Sequence, residues 1–138
     1  MSKRVKLNLD SFAYANIATK VMKLPPKAVF EAEDQFHIVV PMGTVGKAIG
    51  KGAQNVKRLE QLLKKKIKII EFHPHIKTFV AKLIAPLDLE SIEEKQAQII
   101  LKTKDKKTKG LLIGRSGKNL RLLSTVVQRF FQKEVKIE

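Results

Sequence analysis

The chain repeats itself. Gly46-Lys-Ala-Ile-Gly-Lys-Gly-Ala-Gln-Asn-Val56 matches Gly110-Leu-Leu-Ile-Gly-Arg-Ser-Gly-Lys-Asn-Leu120 at a constant offset of 64 residues. Gly46/Gly110, Ile49/Ile113, Gly50/Gly114 and Asn55/Asn119 are identical, Lys51/Arg115 keeps its charge, and Val56/Leu120 and Leu59/Leu123 stay apolar. Four identities with matched flanks exceed chance. A chain of 138 residues built this way folds as two small units on one plan.

The flanks follow the same order in both halves. Asp10 or Ser11 is placed to cap a helix running to about Lys23, with Phe12, Ala15, Ala18 and Met22 on one face, and Pro25-Pro26 ends it. Lys27–Ala32 and Gln35–Val40 read as a hairpin, with Phe36, Ile38 and Val40 alternating and Glu33-Asp34 at the turn. A short helix over Thr44–Ile49, the glycine loop and a longer helix to about Lys65 follow, with Val56, Leu59 and Leu63 as the buried stripe. Ile67, Ile69 and Ile70 close the unit as a β-branched strand.

In the second half Pro74 suits the first turn of a helix through Ile84, and Pro86 closes it. Leu89–Glu93 and Ala97–Lys102 make the hairpin, and a lysine-rich connection leads to a short helix. Gly114–Gly117, a helix to Phe131 with Leu120, Leu123 and Val127 as its stripe, and a strand at Val135 and Ile137 complete the unit. That strand falls four residues later than its counterpart, about one helical turn, so the helix lengthens without changing face. The fold class is therefore α+β: a short extension over residues 1–9 and two units over residues 10–72 and 73–138, each a three-stranded sheet with helices on one face. The joint Glu71-Phe72-His73-Pro74 spans at most ~14 Å, so both units are expected to act on one continuous ligand.

Charge narrows the class of that ligand. The chain holds 28 Lys+Arg against 13 Asp+Glu, a formal net charge of +15, and a field of that size points to a polyanion. Hydrophobic residues make up 43%, enough for packed cores rather than a disordered basic tail. The absence of cysteine excludes disulfides, thiolate zinc sites and cysteine nucleophiles. No apolar stretch approaches the ~18 residues of a membrane helix, and Lys6, Asn8 and Asp10 interrupt any signal-peptide core after the basic start. A soluble cytoplasmic protein without a membrane partner is expected, and a monomer is favoured.

The glycine loops suit this ligand. Without a Cβ, glycine lets a sugar-phosphate backbone approach the main chain, and the free N–H groups and dipole of the following helix favour an anion. Lys51 or Arg115 adds a full charge, and Lys118 and Arg121 extend it. Val56 and Leu120, with Ile49 and Ile113, would wall an apolar groove for bases. The candidate contacts are Gly50, Lys51, Gly52, Ala53 and Val56 in the first unit. In the second they are Gly114, Arg115, Ser116, Gly117, Lys118, Leu120 and Arg121.

This arrangement resembles the KH domain in its type II form, whose G-x-x-G loop clamps about four nucleotides of single-stranded nucleic acid. Two modules in tandem, with Ala-Ile-Gly-Lys-Gly-Ala-Gln-Asn-Val at 48–56, resemble the NusA-like transcription factors, in the short archaeal form. That resemblance covers residues 10–138 and implies single-stranded RNA and RNA polymerase as partners, in termination or elongation. One departure stands out. The first loop reads Gly50-Lys51-Gly52-Ala53, with alanine where the pattern has glycine. A methyl group there would crowd a phosphate and be strained at φ > 0, so the second loop is expected to be the stronger contact.

Other readings are weaker. A lone G-x-x-G is as often a helix C-cap, and no G-x-x-x-x-G-K-[ST] or complete dinucleotide fingerprint occurs. The run Lys102–Lys109 reads as solvated loop or as an electrostatic guide beside the second glycine loop, and Lys64–Lys66 as a helix end. His37, His73 and His75 have no cysteine or carboxylate cluster for a metal. The Glu33-Asp34 and Glu93-Glu94 pairs are expected at hairpin turns, away from acid–base work. With no Trp, one Tyr and seven Phe, of which Phe12, Phe36 and Phe131 sit at core-periodic positions, recognition by exposed aromatic stacking is disfavoured. No cofactor and no enzyme activity are expected. A ribosome-associated or assembly factor, and a polymerase adaptor whose KH surfaces are only structural, are the competing functions.

Overall fold

The computed structural model describes residues 9–32 and 34–138. The extension over residues 1–8, Glu33 and the side chains of Asp10 and Ser11, with the cap expected from them, lie outside the described residues. Contacts divide the chain into two units with the boundary between His73 and Pro74.

The first unit runs α1 (Leu9–Met22), β1 (Ala28–Glu31), β2 (Gln35–Val40), α2 (Val45–Ile49), a 3-10 turn (Lys51–Ala53), α3 (Gln54–Leu63) and β3 (Lys66–Glu71). The sheet order is β1-β2-β3, with β1 antiparallel and β3 parallel to β2. Period-two alternation puts Phe36, Ile38 and Val40 on the helix side, in register with Ile67, Ile69 and Glu71. There they form one core with Ala18, Met22, Ala48 and Leu59. Full burial of each large side chain contributes on the order of 1.5–3 kcal/mol. The opposite face of β2 carries His37 and Val39, flanked by Phe30 and Ile70, and these are buried as well.

The second unit repeats the order: α4 (Ile76–Ile84), β4 (Ser91–Glu94), β5 (Gln98–Lys102), α5 (Lys106–Ile113), a 3-10 turn (Arg115–Gly117), α6 (Lys118–Phe131) and β6 (Glu134–Ile137). Its sheet order is β4-β5-β6 with the same strand senses. Ile99, Leu101, Leu112, Leu123 and Val127 are buried. α6 has 14 residues where α3 has 10, the four-residue extension read from the sequence.

Several local expectations differ. Pro74 precedes the N-cap His75 of α4 rather than lying in its first turn. Phe12 is 63% exposed, because the buried face of α1 centres on Ala18 and Met22 and Phe12 lies to one side of it. The lysine run is only partly a connection. Lys106, Lys107 and Lys109 already belong to α5, whose start is held by the Asp105 carboxylate accepting the Thr108 N–H at 2.7 Å. That bond holds the Asp105 carboxyl below its ordinary value, and its charge offsets lysines placed at the wrong end of a helix dipole. The Glu93-Glu94 pair lies within β4 rather than at the turn, with Glu93 against Lys102 at 3.0 Å and Glu94 against Lys133 at 3.4 Å.

Candidate nucleic-acid interface

The two glycine loops are the same object built twice. Gly50 sits at φ 81, ψ 165 and Gly114 at φ 79, ψ 168, a region that side chains with a Cβ do not occupy. The third and fourth loop positions are left-handed in both: Gly52 at φ 61 and Ala53 at φ 60, Ser116 at φ 56 and Gly117 at φ 75. The backbone bonds match too. Gly50 N–H donates to Gly46 O at 3.0 Å and Gly114 N–H to Gly110 O at 2.9 Å. Ala53 N–H donates to Gly50 O at 3.1 Å and Gly117 N–H to Gly114 O at 3.0 Å.

The strain expected at Ala53 is present, since it holds a left-handed conformation. The second loop carries the same burden one position earlier, at Ser116. At these two positions each loop therefore has one glycine and one left-handed residue with a Cβ, the latter at a cost of roughly 1–2 kcal/mol. The contrast between a defective and an intact loop disappears at the level of the backbone.

The first glycine of each loop has a packing reason. A Cβ on Gly114 would lie 2.7 Å from the Asn119 amide, and one on Gly50 2.9 Å from Asn55 Cγ. These asparagines fasten the two helices together: Asn55 Nδ2 donates to Lys47 O at 3.1 Å and Asn119 Nδ2 to Leu111 O at 3.0 Å. Asn55 and Asn119 were legible as identities of the repeat; their role as clasps is visible only in three dimensions.

The clasp presents the cations. Lys51 and Arg115 are exposed at the loop tips, and Val56, Leu120, Ile49 and Ile113 are half-buried beside them. Lys118 is half-buried at the start of α6. Arg121 is exposed and keeps its charge at the surface. Its Nη1 donates to Ser116 O at 2.6 Å, bracing the second loop from outside. Lys57 holds the same place in the first unit and is exposed. Among the described residues no three His, Cys, Asp or Glu side chains cluster as metal ligands, and no helix is long and apolar enough to cross a membrane.

Gly46 and Gly110 adjoin the loops, although only their duplication marked them. Both lie on helices, exposed, one turn before the first loop glycine. Neither has a positive φ, and a Cβ on either would meet nothing within 4 Å. The fold has no use for glycine there, and in mid-helix it costs about 1 kcal/mol relative to alanine. Gly110→Ala is expected to stabilise the chain by up to about that amount while weakening single-stranded RNA binding several-fold. Thermal melts paired with fluorescence anisotropy on one RNA check both; a rise in both stability and affinity would remove these glycines from the site.

No family model matches the chain. It is similar to proteins named "Probable transcription termination protein NusA". That of Methanocaldococcus jannaschii is 27% identical over 129 residues, covering 91% of this chain and 70% of the relative. That of Methanococcus vannielii is 28% identical over 120 residues, covering 85% and 69%. That of Halobacterium salinarum is 28% identical over 101 residues, covering 72% and 73%. Among solved structures, the crystal structure of APE1850 superposes with a TM-score of 0.71 at 25% identity, over 96% of this chain and all of that one. The likeness to these NusA-named archaeal proteins and to a solved fold of the same size extends through both units, in keeping with a short archaeal NusA-like protein of two tandem KH-like domains.

Proposed function

We propose that this chain is a non-catalytic factor that binds single-stranded RNA and acts with RNA polymerase in transcription termination or elongation. The observation that carries the reading is the pair of loops with matching torsions, each with an exposed cation at its tip and aliphatic side chains beside it. The cations attract phosphates, the loop fixes the backbone's path, and half-buried aliphatics accept base faces. Each unit alone is a weak site. Two sites in one chain raise the effective concentration at the second once the first is filled, so a strand long enough for both binds far more tightly than a tetranucleotide. The NusA-named relatives support the transcriptional setting.

The test combines affinity with association. For single strands, log K against log salt falls with a slope of roughly −0.7 per phosphate neutralised. With both loops engaged we expect several phosphates in play, a slope of about −3 or steeper. A nearly flat salt response would sink RNA binding. Isolation of the tagged chain from cells with polymerase subunits is expected; isolation with ribosomal particles instead would favour an assembly role for the same modules.

A further inference from the structure

The first unit has a second concave surface on the flank of α3 opposite Val56. It is a cleft of about 590 Å³ between α1 and α3. Ile17 and Val21, one turn apart on α1, and Leu62 on α3 supply its aliphatic lining, and Lys20 and Arg58 bring two cations. Among the described residues no acidic side chain lines it and neither cation has a carboxylate partner. Gln54, also in the lining, is the residue immediately after the first glycine loop.

One lining position differs between the two units. Leu62 is 45% exposed, whereas Val126, at the same place in the repeat, is 0% exposed. In the second unit the corresponding helices α4 and α6 meet through aromatic rings, Phe79 lying 5.7 Å from both Phe130 and Phe131. The first unit leaves Leu62 open to solvent where its counterpart is buried.

We infer that this cleft holds one or two further nucleotides of the RNA strand on leaving the first glycine loop. The inference rests on the RNA-binding reading and lengthens its footprint. Three chemistries coincide there: aliphatic side chains for base faces, an exposed amide at Gln54 for base edges, and two cations for phosphates. Continuity with the loop through Gln54 favours the same strand over a separate ligand.

The experiment titrates the full chain with a mixed-sequence twelve-nucleotide single-stranded RNA, following the methyl resonances of Ile17, Val21 and Leu62 and the amides of Lys51 and Arg115. Lys20→Gln with Arg58→Gln is compared with Lys77→Gln with Lys136→Gln, which removes the same charge elsewhere. The expected result is that the RNA shifts the cleft methyls. The cleft variant should lose about tenfold in affinity, with a salt slope shallower by roughly 1.4 for two lost phosphate contacts, and the control variant much less. Equal losses from the two variants with unmoved methyls would overturn the inference, leaving only net charge. Methyls that respond to an acidic amphipathic peptide and not to RNA would overturn it in favour of a protein site. If neither the loop amides nor the methyls respond to RNA, the RNA reading itself falls, and the cleft assignment with it.

Discussion

Replacing Arg115 and Ser116 together by Asp is expected to lower affinity for a long single-stranded RNA on the order of a hundredfold, the scale of avidity lost when one of two linked sites fails. The pair of carboxylates would stand where the loop is placed to meet a phosphate. Arg115 and Ser116 are exposed, so the core is untouched. Asp is among the residues that tolerate a left-handed backbone best, so the φ of 56 at Ser116 adds little. Lys51→Asp with Gly52→Asp does the same in the first unit, with about 1 kcal/mol of added strain because Gly52 is left-handed too.

From the sequence, Ala53 singles out the first loop as the weaker, and the Arg115/Ser116 variant would lose much more than the Lys51/Gly52 variant. The torsions remove the part of that reason that rests on backbone strain, since Ser116 carries the same strain. Losses within about threefold of each other are therefore expected. Anisotropy titrations with matched thermal melts decide. A loss confined to the second loop would mean that the Ala53 methyl itself blocks a phosphate, or that the Arg121 brace, 2.6 Å from Ser116 O, gives the second loop an advantage of order.

The second large effect concerns acid. His37 is 8% exposed, and among the described residues its Nδ1 has no hydrogen-bond partner. Burial, reinforced by the Lys68 ammonium on the neighbouring strand and only partly offset by Asp34, lowers its pKa from 6.5 to about 4. The folded state thus keeps His37 neutral where the unfolded state protonates it. Its contribution is fully present above pH 6.5 and is lost as pH falls toward 4. The drop amounts to at most about 3 kcal/mol, from 1.36 kcal/mol per pKa unit. Urea unfolding between pH 7.5 and 4.5 measures it. His37→Leu removes the proton-binding group and the unsatisfied nitrogen together, so it should cost little at pH 7 and flatten the pH dependence. Asp105 and Glu93, both held below their ordinary values by hydrogen bonds, add to the loss at lower pH in both proteins. An unchanged slope in His37→Leu would place the acid sensitivity elsewhere.

Much of this molecule is readable along the chain because the signals are local. Alternation at Phe36, Ile38 and Val40 specifies a strand and its inner face, Pro25-Pro26 stops a helix, and the second half repeats both with Ile99 and Leu101 and with Pro86. The missing pieces depend on what lies beside a residue in space. Phe12 fits the helical stripe as well as Ala18 does, yet the rotation of α1 on the sheet leaves it in solvent. The capping of α5 by Asp105 was hidden inside a lysine run whose composition reads as loop.

The same division runs through the site. Sequence alone determined that there are two units, that each has a glycine loop between helices, and that the chain is strongly cationic, because periodicity, duplication and charge are carried by residue order. The tertiary structure decided which residues do what within that plan. Asn55 and Asn119 clasp the helices and so require Gly50 and Gly114, Arg121 braces the second loop, and Ala53 and Ser116 share one strain. An identity in a repeat says that a position matters, while its role follows from distances and backbone torsions, and those exist only once the chain has closed on itself.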